Sequence, residues 1–223
     1  MASQLDLEEQ EQIDQLKHFW KRYGNAITWL LIAVLGAFAA FNGWQYWQRK
    51  QAGEAAVMYD QIEAAVQAGD LARLDRALAD VKERYAGTTY AHQSALLAAR
   101  TYYEKGKADQ AKAALAWVVE KASDEGLQAV ARLRLAGLAL EAKAYDEALA
   151  QLGAKMPAEF AALADDRRGD VYLAQGKKPQ ALAEYRKAHA AMDERAEYRQ
   201  LVEVKLNALG VDVSASVTAE VKK

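Results

Sequence analysis

Cysteine is absent from the 223 residues of this chain. That excludes disulfides, thiolate-bound zinc, iron–sulfur clusters and cysteine nucleophiles together, although it fixes no compartment. Proline occurs twice and glycine 13 times, too few for a collagen-like, low-complexity or linker-dominated chain. Alternating β-branched runs bounded by turns are missing, which argues against a sheet. Excess charge of one sign is missing too. The balance of 29 Lys+Arg against 31 Asp+Glu leaves a formal charge of −2, so there is no electrostatic basis for binding nucleic acid.

Catalytic constellations are equally scarce. The histidines, His18, His92 and His189, are never paired at i,i+4 around a glutamate, the spacing that puts two imidazoles on one helical face for a metal. His92 and His189 read as residues of solvated helix faces. No serine stands in a Gly-x-Ser-x-Gly elbow, and Glu104–Lys105–Gly106–Lys107 lacks the glycines of a phosphate cradle. Asp124–Glu125 and Asp165–Asp166 are adjacent carboxylates, but neighbours on a helix point apart. They read as first-turn acids or solvated positions, not as an acid/base dyad. No enzyme, metal or cofactor is expected.

One long hydrophobic run is present. No charged side chain occurs from Tyr23 to Gln48, and Ala26–Phe41 is almost wholly apolar. About 20 apolar residues at about 1.5 Å each cross a bilayer core. Trp20 and Tyr23 stand at one end and Trp44, Tyr46 and Trp47 at the other, where amphipathic rings favour the headgroup layer. Ala37–Phe38–Ala39 resembles a leader cleavage site, yet the region before the run carries five acids, unlike a short basic leader. An uncleaved anchor fits better.

Lys17, Lys21 and Arg22 precede the run; Arg49 and Lys50 follow it, with no further base until Arg73. This slight bias favours the short tail inside. In a bacterium it predicts an inner-membrane protein with a cytoplasmic tail over 1–24, a transmembrane helix over 25–48, a periplasmic domain over 49–210 and a frayed tail over 211–223. Ala33, Gly36, Ala37, Ala40 and Gly43 share one face of the span. Such a stripe suits close packing on another membrane helix, and equally a plain Gly/Ala-rich anchor.

Beyond the anchor the chain reads as amphipathic helices broken by short turns at Gly69, Gly87, Gly106, Ser123–Asp124, Pro157 and Gly176. Ser123 precedes an acidic first turn, and Thr88 or Thr89 can cap the next helix. Ala91, Ser94, Ala95, Ala98, Ala99 and Tyr102 recur with helical period, as do Ala108, Ala111, Leu115, Val118 and Ala122. Ala111, Ala148 and Ala181 align as the small residue of a second helix, with gaps of 37 and 33 residues. That is the pattern of the tetratricopeptide repeat, a helix pair of about 34 residues. The third unit fits best, through Gly169, Tyr172, Gly176, Ala181, Tyr185 and Ala188. In the unit around Ala148, Lys143 replaces the turn glycine and the second helix runs short into Pro157. Residues 51–85 read as a further, poorly matching pair. Tyr198, Leu201, Val202, Leu206 and Leu209 form a capping helix. The fold class is all-α: one N-terminal transmembrane helix, then a tetratricopeptide-repeat-like α-solenoid.

The sequence also resembles a known family. The resemblance rests on Glu8–Ile13 with Leu16–Trp20, on Gly43–Trp47, on Ser123–Ala136, on Asp166–Asp170 and Gly176–Lys178, and on Val204–Asn207. These blocks are similar to those of the YfgM-like ancillary SecYEG translocon subunits of Gram-negative bacteria. The resemblance implies a non-enzymatic inner-membrane protein that associates with the SecYEG translocon and with a membrane-anchored periplasmic chaperone of the prolyl-isomerase type. It also implies help for secreted clients as they fold. A scaffold for another envelope process, such as outer-membrane or division assembly, uses the same fold.

In a helix-pair solenoid the first helices line the concave binding face. The repeat alignment places Leu96, Arg100 and Tyr103 there from one unit, Val130, Leu133 and Leu140 from the next, and Asp166, Asp170 and Leu173 from the third. Several of these leucines also suit the core, because the repeat phase is defined only to within a residue. Tyr103 is the strongest single candidate, since aromatic residues dominate interface energetics.

Overall fold

The computed structural model describes residues 7–211; the expected C-terminal tail, apart from Val211, lies outside them. Among the described residues every regular element is an α-helix: α1 Leu7–Gln67, α2 Leu71–Arg84, α3 Thr89–Glu104, α4 Ala108–Lys121, α5 Glu125–Glu141, α6 Tyr145–Gly153, α7 Ala158–Ala174, α8 Lys178–Ala191 and α9 Glu197–Ala208. The chain divides between Gln51 and Ala52 into two units.

In the first unit, the described residues belong to α1. Trp29, Leu30, Leu35, Phe38 and Phe41 are exposed, so this segment buries almost nothing against protein and is a candidate membrane span. Two of its polar side chains bond back to the helix itself, as suits a lipid environment. Thr28 Oγ1 donates to the Gly24 carbonyl at 2.8 Å, and Asn42 Nδ2 donates to the Phe38 carbonyl at 2.8 Å. The small residues Ala33, Gly36, Ala37, Ala40 and Gly43 are all exposed.

The second unit is built on a repeated helix ending. Gly69, Gly106, Lys143, Gly176 and Gly210 all have positive φ, between 57° and 87°. After each, the next N–H reaches back to a carbonyl five residues earlier: Asp70 to Ala65, Lys107 to Tyr102, Ala144 to Ala139, Lys177 to Tyr172 and Val211 to Leu206, at 2.8–3.1 Å. This left-handed cap closes a helix and turns the chain back on itself. The first four caps each end the first helix of a pair and the fifth ends α9, so α3 pairs with α4, α5 with α6 and α7 with α8, and α5 packs in turn on α7. The end of α1 and α2 form the pair expected over 51–85, tied by Tyr85 Oη donating to Glu54 at 3.1 Å. Lys143 takes the left-handed conformation that glycine takes elsewhere, at a cost of about 1 kcal/mol for a side-chain-bearing residue. Lys143→Gly is expected to stabilise the domain by roughly that amount, seen as a raised urea midpoint at constant slope.

Helix starts are capped by Asp70, Thr88 and Asp124, whose side chains accept from the N–H of Arg73, Ala91 and Leu127 at 2.9, 3.2 and 2.9 Å. Asp124, not Ser123, is therefore the cap of α5. The aligned small residues Ala111, Ala148 and Ala181 are each 0% exposed. The expected apolar face of α3 is buried throughout; in α4 it is buried except for Ala108. As expected, α6 is short, ending before Pro157.

The histidines depart from expectation. His92 is buried, its ring centroid 5.5 Å from that of Trp117, and burial pushes its pKa down. His189 is mostly covered, 3.0 Å from Glu203 and 3.1 Å from Arg199. Alanine neighbours leave room for an imidazole in the packed layer, which periodicity alone does not show.

Candidate functional site

A groove of about 710 Å³ opens along the first helices of successive pairs. Arg100 and Tyr103 reach it from α3, Leu133, Arg134, Gly137, Leu138 and Glu141 from α5, Leu163 and Arg167 from α7, and Tyr198 from α9; Ala111 and Leu115 lie at its floor. Its walls are leucine and tyrosine, and three arginines face a single lining carboxylate.

Hydrogen bonds hold these side chains in place. Tyr103 Oη donates to Glu141 Oε1 at 2.7 Å, bridging α3 and α5; the carboxylate that accepts this hydrogen bond raises the phenol pKa. Arg134 Nη1 donates to the Leu96 carbonyl at 3.1 Å. Arg100 pairs with Glu104 at 2.7 Å and Arg167 with Asp170 at 3.4 Å, both within one helix. Tyr198 Oη donates to Asp166 Oδ2 at 2.7 Å.

The predicted site residues separate into two groups. Arg100, Tyr103 and Leu133 come together on the groove. Leu96 does not: it is buried in the core of the first pairs, offering its carbonyl to Arg134. Asp166 is 0% exposed, which corrects its reading as a solvated or groove residue. Its carboxylate is buried because Tyr198 and Lys205 satisfy it from α9. Asp170 accepts from Tyr185 and Lys205, both at 2.7 Å. Val130 and Leu140 are partly buried against the hydrophobic clusters, and Leu173 is exposed but lines no part of the groove. Sequence reasoning missed Arg134, Gly137, Glu141, Leu163 and Arg167. One signal was available: Gly137 is a glycine inside a helix with no turn nearby.

The block Asp166–Asp170 takes physical meaning from this arrangement. Arg167 lines the groove, while Arg168 binds the Leu152 carbonyl, Glu184 and Asp165 and so ties α7 to α6 and α8. Gly169 sits under the Tyr185 ring. Among the described residues no cluster of His, Asp and Glu is placed to hold a metal. The groove combines apolar walls with charged side chains.

Stacked helix pairs, closed by one repeated cap and grooved along their first helices, define a tetratricopeptide-repeat-like protein with an added candidate membrane span. Residues 17–211 match the family described as tetratricopeptide repeat-like domain. The chain is 33% identical over 207 residues to the ancillary SecYEG translocon subunit of Neisseria gonorrhoeae, covering 91% of this chain and 98% of that one. Proteins of the same name from Escherichia coli and Haemophilus influenzae are each 29% identical, over 91% of this chain and 97% and 98% of theirs. The chain belongs to the YfgM family of ancillary SecYEG translocon subunits.

Proposed function

We propose that the chain is a non-enzymatic interaction subunit of the bacterial Sec translocon. Residues 25–48 anchor it in the inner membrane, 1–24 lie in the cytoplasm, and the domain over 49–210 faces the periplasm. There it joins the translocon to a membrane-anchored chaperone of the prolyl-isomerase type and assists secretory clients as they emerge. The groove is the observation that carries this reading: a built, largely apolar surface with charged anchors and no catalytic constellation. The relatives' name, ancillary SecYEG translocon subunit, supports the translocon as the assembly.

Affinity purification in mild detergent is expected to recover SecYEG and the chaperone. Tyr103 is 46% exposed, so Tyr103→Ala removes an interface anchor without opening a cavity. It is expected to weaken groove-dependent partner binding roughly tenfold while the thermal transition stays cooperative. Recovery of outer-membrane or division assembly proteins in place of SecYEG overturns the reading. Protease added to intact spheroplasts is expected to digest the C-terminal domain and spare residues before Ala26; protection of that domain until lysis reverses the orientation.

A further inference from the structure

We propose that the groove receives an extended partner segment in which apolar side chains alternate with carboxylates, the carboxylates meeting Arg100, Arg134 and Arg167. This assignment rests on the groove being the partner site and adds the chemistry of what enters it.

Charge complementarity is the first ground. Three guanidiniums line the groove against one carboxylate, and that carboxylate, Glu141, already accepts the Tyr103 hydroxyl. Arg134 directs Nη1 to a neutral carbonyl. Desolvation of the guanidinium, then the nearby Arg100 charge, push its pKa down, so an anion placed between the two cations relieves a repulsion already built into the fold. The acids beside Arg100 and Arg167 are neighbours along the same helix, at 2.7 and 3.4 Å. Surface pairs of this kind contribute little and exchange readily for an incoming carboxylate.

Shape is the second ground. Gly137 stands inside α5, and a Cβ built there meets nothing within 4 Å. Glycine weakens a helix interior relative to alanine, and here no neighbouring element requires it. The open space lies on the groove lining, where a missing side chain lets a ligand's backbone approach closely. Leu133, Leu138 and Leu163 wall the same space. A free inorganic anion would leave these leucines unused, and a wholly apolar segment would cover the guanidiniums without offering them a carboxylate. An acidic, apolar peptide uses both.

The test measures fluorescence anisotropy on the full-length protein in detergent, with a short labelled peptide alternating leucine and aspartate and its leucine/asparagine counterpart. The aspartate peptide is expected to bind at least tenfold tighter, with affinity falling as salt rises. The Arg100 and Arg167 side chains are 71% and 46% exposed, so the double variant Arg100→Glu/Arg167→Glu leaves the core alone and is expected to abolish the preference. Gly137→Leu fills the groove from a site with open space. It is expected to block both peptides with an unchanged or raised Tm, which separates groove filling from misfolding. Equal binding of the two peptides, or a preference that survives the double arginine variant, overturns the proposal. Translocon recovery without acidic preference sinks the groove chemistry alone. Acidic preference in a protein that recovers no translocon upholds the groove chemistry and sinks the translocon role.

Discussion

Adding one methyl group at Gly169 is expected to destabilise the helical domain by about 3 kcal/mol, the upper range for overpacking a filled site. For a domain of this size that is a fall in Tm of roughly 10 °C. A Cβ on Gly169 would lie 2.4 and 2.5 Å from Cε1 and Cδ1 of Tyr185. The ring cannot step aside cheaply. Tyr185 is 0% exposed, its hydroxyl donates to Asp170 at 2.7 Å, and the Lys205 ammonium lies 5.2 Å from its centroid. The backbone of α7 must therefore lift away from α8. The check is a double-mutant cycle in thermal melts of Gly169→Ala and Tyr185→Leu. Truncating the ring leaves a cavity and is costly by itself, but it also frees the space the methyl needs, so Gly169→Ala is expected to cost far less in that background. Additive effects, or a Gly169→Ala protein that melts like the parent, mean that the ring moves freely and the glycine is not required.

The small position at Gly169 and the aromatic position at Tyr185 were readable because both fall at fixed offsets from a turn, though their contact with each other was not. Gly69, Gly106, Gly176 and the substituting Lys143 mark the same cap in successive units, and the cap depends only on local backbone preference. The membrane segment was readable for a similar reason: its signal is a continuous composition. The groove was harder. Leu96, Leu133 and Asp166 occupy equivalent places, ten residues before the turn residues Gly106, Lys143 and Gly176; there Leu96 and Asp166 are buried, and Leu133 is partly buried while still reaching the groove. One residue further along stand Arg134 and Arg167, which face the groove. A shift of one residue rotates a helix by about 100°, enough to exchange core for surface, and an Ala-rich helix with apolar residues on several faces does not fix that phase. Asp166 failed for a different reason. A buried carboxylate is costly unless paired, and its partners Tyr198 and Lys205 are 32 and 39 residues away. Nothing local to Asp166 announces them.

That distant pairing makes Asp166 the site where stability and the groove are coupled most directly. Asp166→Ala is expected to destabilise the domain by about 3–5 kcal/mol, the cost of breaking a buried charge pair from one side. The carboxylate accepts from Tyr198 Oη at 2.7 Å and from Lys205 Nζ at 2.8 and 2.9 Å. Burial first, and the acceptor carboxylate second, raise the pKa of the Tyr198 hydroxyl, so it stays a proton donor across the physiological range. Removing the acceptor leaves that hydroxyl unsatisfied and leaves the Lys205 ammonium, with a side chain 21% exposed, only Asp170 as its carboxylate partner. Val202 and Leu206 then hold α9 with the remaining Lys205–Asp170 pair and the His189 contacts to Glu203 and Arg199. Because Tyr198 also lines the groove, loosening α9 removes one wall, and peptide affinity is expected to fall along with the urea midpoint. The variant Asp166→Leu/Lys205→Met discriminates between the two effects. An apolar pair of similar volume restores much of the stability, since neither charge remains to be desolvated, but it leaves Tyr198 without its acceptor. Stability is therefore expected to recover further than binding does. Equal recovery of both would mean that the hydrogen bond does not position Tyr198, and an unchanged midpoint in Asp166→Ala would mean that the network contributes nothing to holding α9.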